Sequence, residues 1–174
     1  MQPKRKWFLA FFAVAYPLDQ ATKLWIVDDF YYGETLTVIS GFFDLTHVRN
    51  PGGAFSMFTG GDPEYRLAFF LAAGAIAVAL LLVFYRRLPA NAWVSAAALG
   101  GILGGALGNL TDRIVYGEVI DWLDFYIGSY SWPTFNVADS CIVVGVCVLI
   151  LEVFLDPEDE EGDELVGSRE QSSA

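Results

Sequence analysis

Leu67 to Tyr85 reads LAFFLAAGAIAVALLLVFY, nineteen residues without a charge, and after Arg86 and Arg87 a second uncharged run extends from Leu88 to Leu110. At 1.5 Å per helical residue, either run reaches across a hydrocarbon layer ~30 Å thick. Neither shows the strict alternation of a barrel strand, and both are dominated by Ala, Leu, Val and Gly. The chain is therefore expected to be an integral membrane protein built on helices.

Two further runs flank this pair. Trp7 to Val27 is apolar except for Asp19 and Lys23, and Phe135 to Leu155 is apolar except for Asp139 and Glu152. Read as spans, they complete a four-helix bundle over about 7–27, 65–85, 89–111 and 135–155, one membrane-embedded domain occupying residues 1–155. A cleaved signal peptide is the rival reading of the first run, since Lys4, Arg5 and Lys6 precede it and Ala13-Val14-Ala15 is a small-residue site. That site falls inside the apolar run, however, and the run resumes past Lys23.

Composition narrows the function classes. The chain has 174 residues, 55% hydrophobic and only 18% charged, against about a quarter charged in soluble domains. Its net charge of −11 is concentrated in residues 156–174, which hold eight acids and Arg169. The rest, with nine of the ten bases and thirteen of the 21 acids, carries only −4. The acidic tail lacks aromatics and reads as disordered. With no basic face to neutralise phosphates, nucleic-acid binding is not expected. Cys141 and Cys147, six apart on one helix, cannot bridge, and a single His47 without paired cysteines gives no zinc site. No metal or cofactor is expected.

Basic residues orient the bundle. Lys4 to Lys6 and Arg86–Arg87 fall on one side with the tail, and the positive-inside rule makes that side cytoplasmic, with both termini there. Two segments then face outward. In the first, Thr35 to Ile39 and Phe42 to Val48 read as short strands broken by Ser40-Gly41 and by Asn50-Pro51-Gly52-Gly53. The second, Tyr116 to Trp132, is dense in aromatics and reads as an interfacial segment at headgroup level. The expected fold class is an all-α membrane bundle with a small β-rich outer segment.

A charged side chain at the bilayer centre costs ~2.5–3.5 kcal/mol, so such residues mark either mutual pairing or function. Asp19 and Lys23, four apart, can neutralise each other. Asn109, Asp112 and Arg113 share a helix face, with Asp112 pairing Arg113 as the local alternative to a substrate-contacting arginine. The Gly100, Gly104, Gly108 series reads as close helix packing. Asn136 and Asp139 fit a helix cap and a first-turn acid. Asp121 lies among the aromatics of the second outer segment, and Asp124 reads as a surface acid. Two carboxyls meeting in a poorly hydrated cleft cannot easily both ionise, which makes an acid and a base from one residue type. A proton relay through Asp19, Asp112 and Asp139 in a small transporter or channel is the competing reading, and a structural role for the glycine face is a third.

Five motifs then follow one another. They are Asp19-Gln20-Ala21-Thr22-Lys23, Asn50-Pro51-Gly52-Gly53-Ala54-Phe55-Ser56, Gly108-Asn109-Leu110-Thr111-Asp112-Arg113, Val119-Ile120-Asp121 and Phe135-Asn136-Val137-Ala138-Asp139-Ser140. In this order the chain, from about Lys4 to Phe154, resembles the bacterial lipoprotein signal peptidase family, signal peptidase II. Pro51-Gly52 is a small departure from the family pattern. The resemblance implies a membrane aspartic endopeptidase of the bacterial inner membrane. Its implied substrates are prolipoproteins, cut just before a cysteine that carries diacylglyceryl on sulfur. It implies Asp121 and Asp139 as the catalytic pair, Asn50, Asn109, Arg113 and Asn136 as substrate-lining residues, and Asp19, Lys23 and Asp112 as their support. A monomer in the bilayer is assumed.

Overall fold

The computed structural model describes residues 2–52 and 62–155. Its elements run α1 (Pro3–Asp29), β1 (Thr35–Ile39), β2 (Phe43–Asn50), α2 (Pro63–Arg87), α3 (Trp93–Tyr116), β3 (Val119–Ile127), β4 (Tyr130–Ser131) and α4 (Val137–Leu155). Among these, α2, α3 and α4 are long and apolar enough to cross a membrane. No residue of α2 is buried against protein although its mean hydropathy reaches 2.8. A helix apolar on every side, with one side resting on α3 and the rest uncovered, is stable only where lipid is the solvent. Its ends are marked by local chemistry. The Asp62 side chain accepts from the Glu64 amide at 2.8 Å, Pro63 opens the first turn, and Arg86 and Arg87 sit against the C-terminal dipole.

Helix α3 is the hub, packed against α1, α4 and α2. Its glycines let this happen. A methyl group at Gly104 would stand 2.7 Å from the Ala15 Cβ, and one at Gly145 of α4 would stand 2.5 Å from Ile102 Cγ1. The glycine stripe is therefore a packing device, as its spacing predicted. Replacing Gly104 by Val must push α1 away from α3. Overpacking of this kind costs ~1–3 kcal/mol, read as a lower midpoint in thermal unfolding in detergent.

The strands form one antiparallel sheet in the order β1-β2-β3-β4, with an extra residue in β2 between Leu45 and Val48. Two of the expected segments take definite form here. The segment Tyr116 to Trp132, expected at headgroup level, supplies β3 and β4 of the same sheet. Its alternation is hidden because Ile120 and Trp122 pack on Ile26 while Asp121 is buried on the opposite face. Helix α3 covers most of the third predicted span. It begins at Trp93 and carries Asp112 and Arg113 inside the helix, ending where Gly117 takes φ 77° and its amide bonds the Arg113 carbonyl. The acidic tail and the motif residues 53–56 lie outside the described residues.

Candidate active site

Phe135 is stitched to β3 just before α4 begins. Its carbonyl accepts from the amides of Trp122 and Leu123 at 3.0 and 2.8 Å, and its amide donates to the Leu123 carbonyl at 3.1 Å. The next residue, Asn136, is thereby set beside Asp121. Asn136 is fully buried and spends every polar atom. Its Nδ2 donates to Asp121 Oδ1 at 2.7 Å, to the Ile120 carbonyl at 3.2 Å and to Asn109 Oδ1 at 3.2 Å. Its Oδ1 accepts from the Asp139 amide at 2.9 Å, the helix cap expected from the sequence. One asparagine thus ties the Asp121 carboxyl to the backbone amide of Asp139.

Asp121, only 2% exposed, is held on both sides, because Asn50 Nδ2 donates to its Oδ2 at 2.9 Å. Asn50 pairs opposite Val119, so Asp121 is its diagonal neighbour on the same sheet face. Asp139 accepts at Oδ1 from Asn109 Nδ2 at 2.8 Å, while Oδ2 accepts no hydrogen bond among the described residues and the side chain is half-buried. One carboxyl is enclosed and the other keeps an open edge. Burial, followed by the nearby Asp139 charge, pushes the Asp121 carboxyl up to about 7 against the opposing hydrogen bonds of Asn50 and Asn136.

That shift has a signed consequence for stability. Between about 4 and 7 the folded chain keeps a proton at Asp121 that the unfolded chain releases, so stability from this group is full at low pH. It is lost as pH rises through about 7. Thermal midpoints measured against pH should fall more steeply for the wild type than for Asp121→Asn across this window, and run parallel above it.

Beneath the carboxyls lies a buried ionic layer. Lys23 Nζ donates to Asp19 Oδ2 and Asp112 Oδ2, both at 2.8 Å, and to Asn109 Oδ1 at 2.9 Å, which uses all three of its protons. Asp19 Oδ1 accepts from the Ala138 amide at 2.8 Å, and Asp112 Oδ2 from the Ile120 amide at 3.2 Å. The layer therefore fixes the start of α4 and of β3 to α1 and α3. The Asp19–Lys23 pair is as the spacing predicted. The Asp112–Arg113 pair is not formed, since Lys23 takes Asp112 instead. Sequence reasoning also passed over Gln20, whose Nε2 donates to Asp112 Oδ1 at 3.1 Å, to Asp19 Oδ2 at 3.2 Å and to the Gly108 carbonyl at 3.3 Å. An amide beside an intramembrane acid was the signal available.

Arg113 reaches the other way. Its guanidinium stands 4.7 Å over the Phe70 ring of α2, donates to the Asn109 carbonyl at 3.2 Å and to the Gly52 carbonyl at 2.9 Å. All nine residues singled out from the sequence thus form one connected group at the sheet end of the bundle. Asp124 stands apart, bonded to the Ser131 hydroxyl at 3.3 Å. Among the described residues no group of His, Cys, Asp and Glu could hold a metal ion.

Comparison with known proteins agrees with the motif pattern. The family model described as signal peptidase (SPase) II matches residues 11–155. A lipoprotein signal peptidase of Desulforapulum autotrophicum is 45% identical over 80% of this chain and 86% of its own. That of Geobacter sulfurreducens is 44% identical over 88% of this chain and 94% of its own. A bacterial membrane enzyme solved by the in meso method at 2.3 Å is 30% identical, with a TM-score of 0.78 over 88% of this chain and 90% of that one. On sequence and on fold, the chain belongs to the signal peptidase II family.

Proposed function

We propose that this protein is an aspartic endopeptidase that removes signal peptides from prolipoproteins, cutting before a cysteine that carries diacylglyceryl on sulfur. Membership of a protease family that processes prolipoproteins is the starting point. The observation that carries the aspartic mechanism is the amide chain from the Asp121 carboxyl through Asn136 and Asn109 to the Asp139 carboxyl. The pair titrates as a unit and shares one proton. Asp139, with its open oxygen, takes a proton from water as the water attacks the scissile carbonyl. Asp121, enclosed and proton-holding, gives its proton to the carbonyl oxygen; as the tetrahedral intermediate breaks, Asp139 passes the proton taken from water to the leaving amine and Asp121 regains one from the intermediate's hydroxyl. Asn50, Asn109, Arg113 and Asn136 set this geometry and line the substrate's path, and Asp19, Lys23 and Asp112 support them.

In this reading α1 is a fourth span, made insertable by its internal ion pair. Residues 1–155 act as one membrane domain, as a monomer in the bacterial inner membrane. Both termini and the acidic tail lie in the cytoplasm, and the sheet lies on the outer face. A signal peptide that is itself apolar is met there, at the lipid boundary. The relay reading has less support: between Ser95 and Gly108, α3 carries only Ala, Leu, Ile and Gly, and α2 offers no polar residue along its uncharged run. A conducting path needs lining along its length. Purified protein incubated with diacylglyceryl-cysteine precursor should release the signal peptide, and the unlipidated precursor should be cut at least ~10²-fold more slowly, because its remote binding energy is missing. Equal rates on both would overturn the substrate assignment.

A further inference from the structure

The half of the sheet away from the ionic layer carries a groove of about 330 Å³ that the mechanism above does not use. Phe42, Phe125, Ile127, Tyr130, Trp132 and Phe135 line it, and among the described residues no charged one does. Its inner end touches the site. Phe135 immediately precedes the bridging Asn136, and Phe125 stacks on it with ring centroids 5.8 Å apart. Phe125 also lies four residues along β3 from Asp121, on the same strand face, a distance of ~13 Å. The far end is open, with Ile127 69%, Tyr130 66% and Trp132 50% exposed. Exposed tyrosine and tryptophan at the rim suit the headgroup level of a bilayer.

We propose that this groove receives an acyl chain of the diacylglyceryl group on the substrate cysteine. The proposal rests on the function given above. The lipid hangs from the residue next to the scissile bond, so it must leave the carboxyl pair along an apolar path that ends at the membrane. The groove begins at Phe135, one residue from Asn136, and opens at an aromatic rim. Other occupants fit less well. The mature part of the substrate is a polar chain that would gain nothing from an aromatic lining. The apolar signal segment is far too long and bulky for a groove of about 330 Å³. A bulk phospholipid would bring a phosphate to a groove lined by no cation.

The test compares precursors carrying dipalmitoyl- and diacetyl-glyceryl cysteine, cleaved by the full-length protein in phosphatidylcholine nanodiscs. Ile127→Asn and Tyr130→Ser alter exposed rim positions. Each should lower the ratio of kcat/KM for the long-chain over the short-chain precursor, and the double variant should lower it about tenfold, the low end of what burying one aliphatic side chain is worth. An equal loss on both precursors, or no loss, overturns the proposal. A second readout does not depend on turnover. A precursor with a photoactivatable group at the end of its acyl chain should label residues 125–135, and labelling confined to the helices overturns the proposal as well. Failure of the wild type to cut either precursor would sink the enzymatic reading itself, whereas cleavage with an unchanged ratio sinks the groove alone.

Discussion

Asp139→Asn should lower cleavage of a lipidated precursor by ~10³-fold or more while leaving the bundle intact. The amide replaces the carboxyl almost isosterically. The new Oδ1 can still accept from Asn109 Nδ2, so the bond now measured at 2.8 Å survives. What disappears is the only carboxyl edge in the site that takes no hydrogen bond among the described residues, and with it the acceptor for the water's proton. Asp121→Asn should be equally inactive but less silent structurally. Both Asp121 oxygens accept from amide groups, so an NH₂ placed there must face a donor. Asn136 cannot turn, because its Oδ1 caps Asp139 and its Nδ2 is shared among Asp121, Asn109 and Ile120. Asn50 must flip instead and give up its bond to the Gly52 amide, now 3.0 Å. Rates measured beside thermal midpoints separate the two effects. Normal processing by either variant would remove that aspartate from the mechanism.

The two variants also bear on what the sequence could disclose. Local rules found Asp19 with Lys23, Asn136 as a cap and the glycine stripe, because each depends on residues within four positions of one another. They could not find Lys23 with Asp112, which are separated in the chain by β1, β2 and α2. The local rule offered Arg113 as partner, and Arg113 turns out to hold the Gly52 carbonyl. The sheet was half legible for a related reason. β1 and β2 announce themselves through β-branched residues and turn signals. β3 has both faces covered, by α1 on one and the site on the other, so the period-two pattern that marks a half-exposed strand is absent. The candidate residues were legible mainly as motifs in order. Their convergence through Asn136 belongs to the three-dimensional fold alone.

Lys23→Met should be the most damaging single substitution to stability, by ~3–5 kcal/mol, because it leaves buried carboxylates without their countercharge. Asp19 and Asp112 are 0% and 1% exposed and keep only Gln20 and backbone amides as donors. Each answers the loss by binding a proton or by admitting water, and either response loosens the contacts to Ala138 and Ile120 that set the starts of α4 and β3. Activity should fall with stability, since Asn109 Oδ1 loses the lysine that fixes it and Asn109 Nδ2 is the donor to Asp139. Thermal unfolding in one detergent, at one pH, measures the first effect. The double variant Lys23→Met/Asp112→Asn should regain part of the loss, having one charge fewer to bury. If the lysine were only a device for membrane insertion, Lys23→Met would insert well and melt within ~1 kcal/mol of the wild type, and the ionic layer would then not be what holds the carboxyl pair in place.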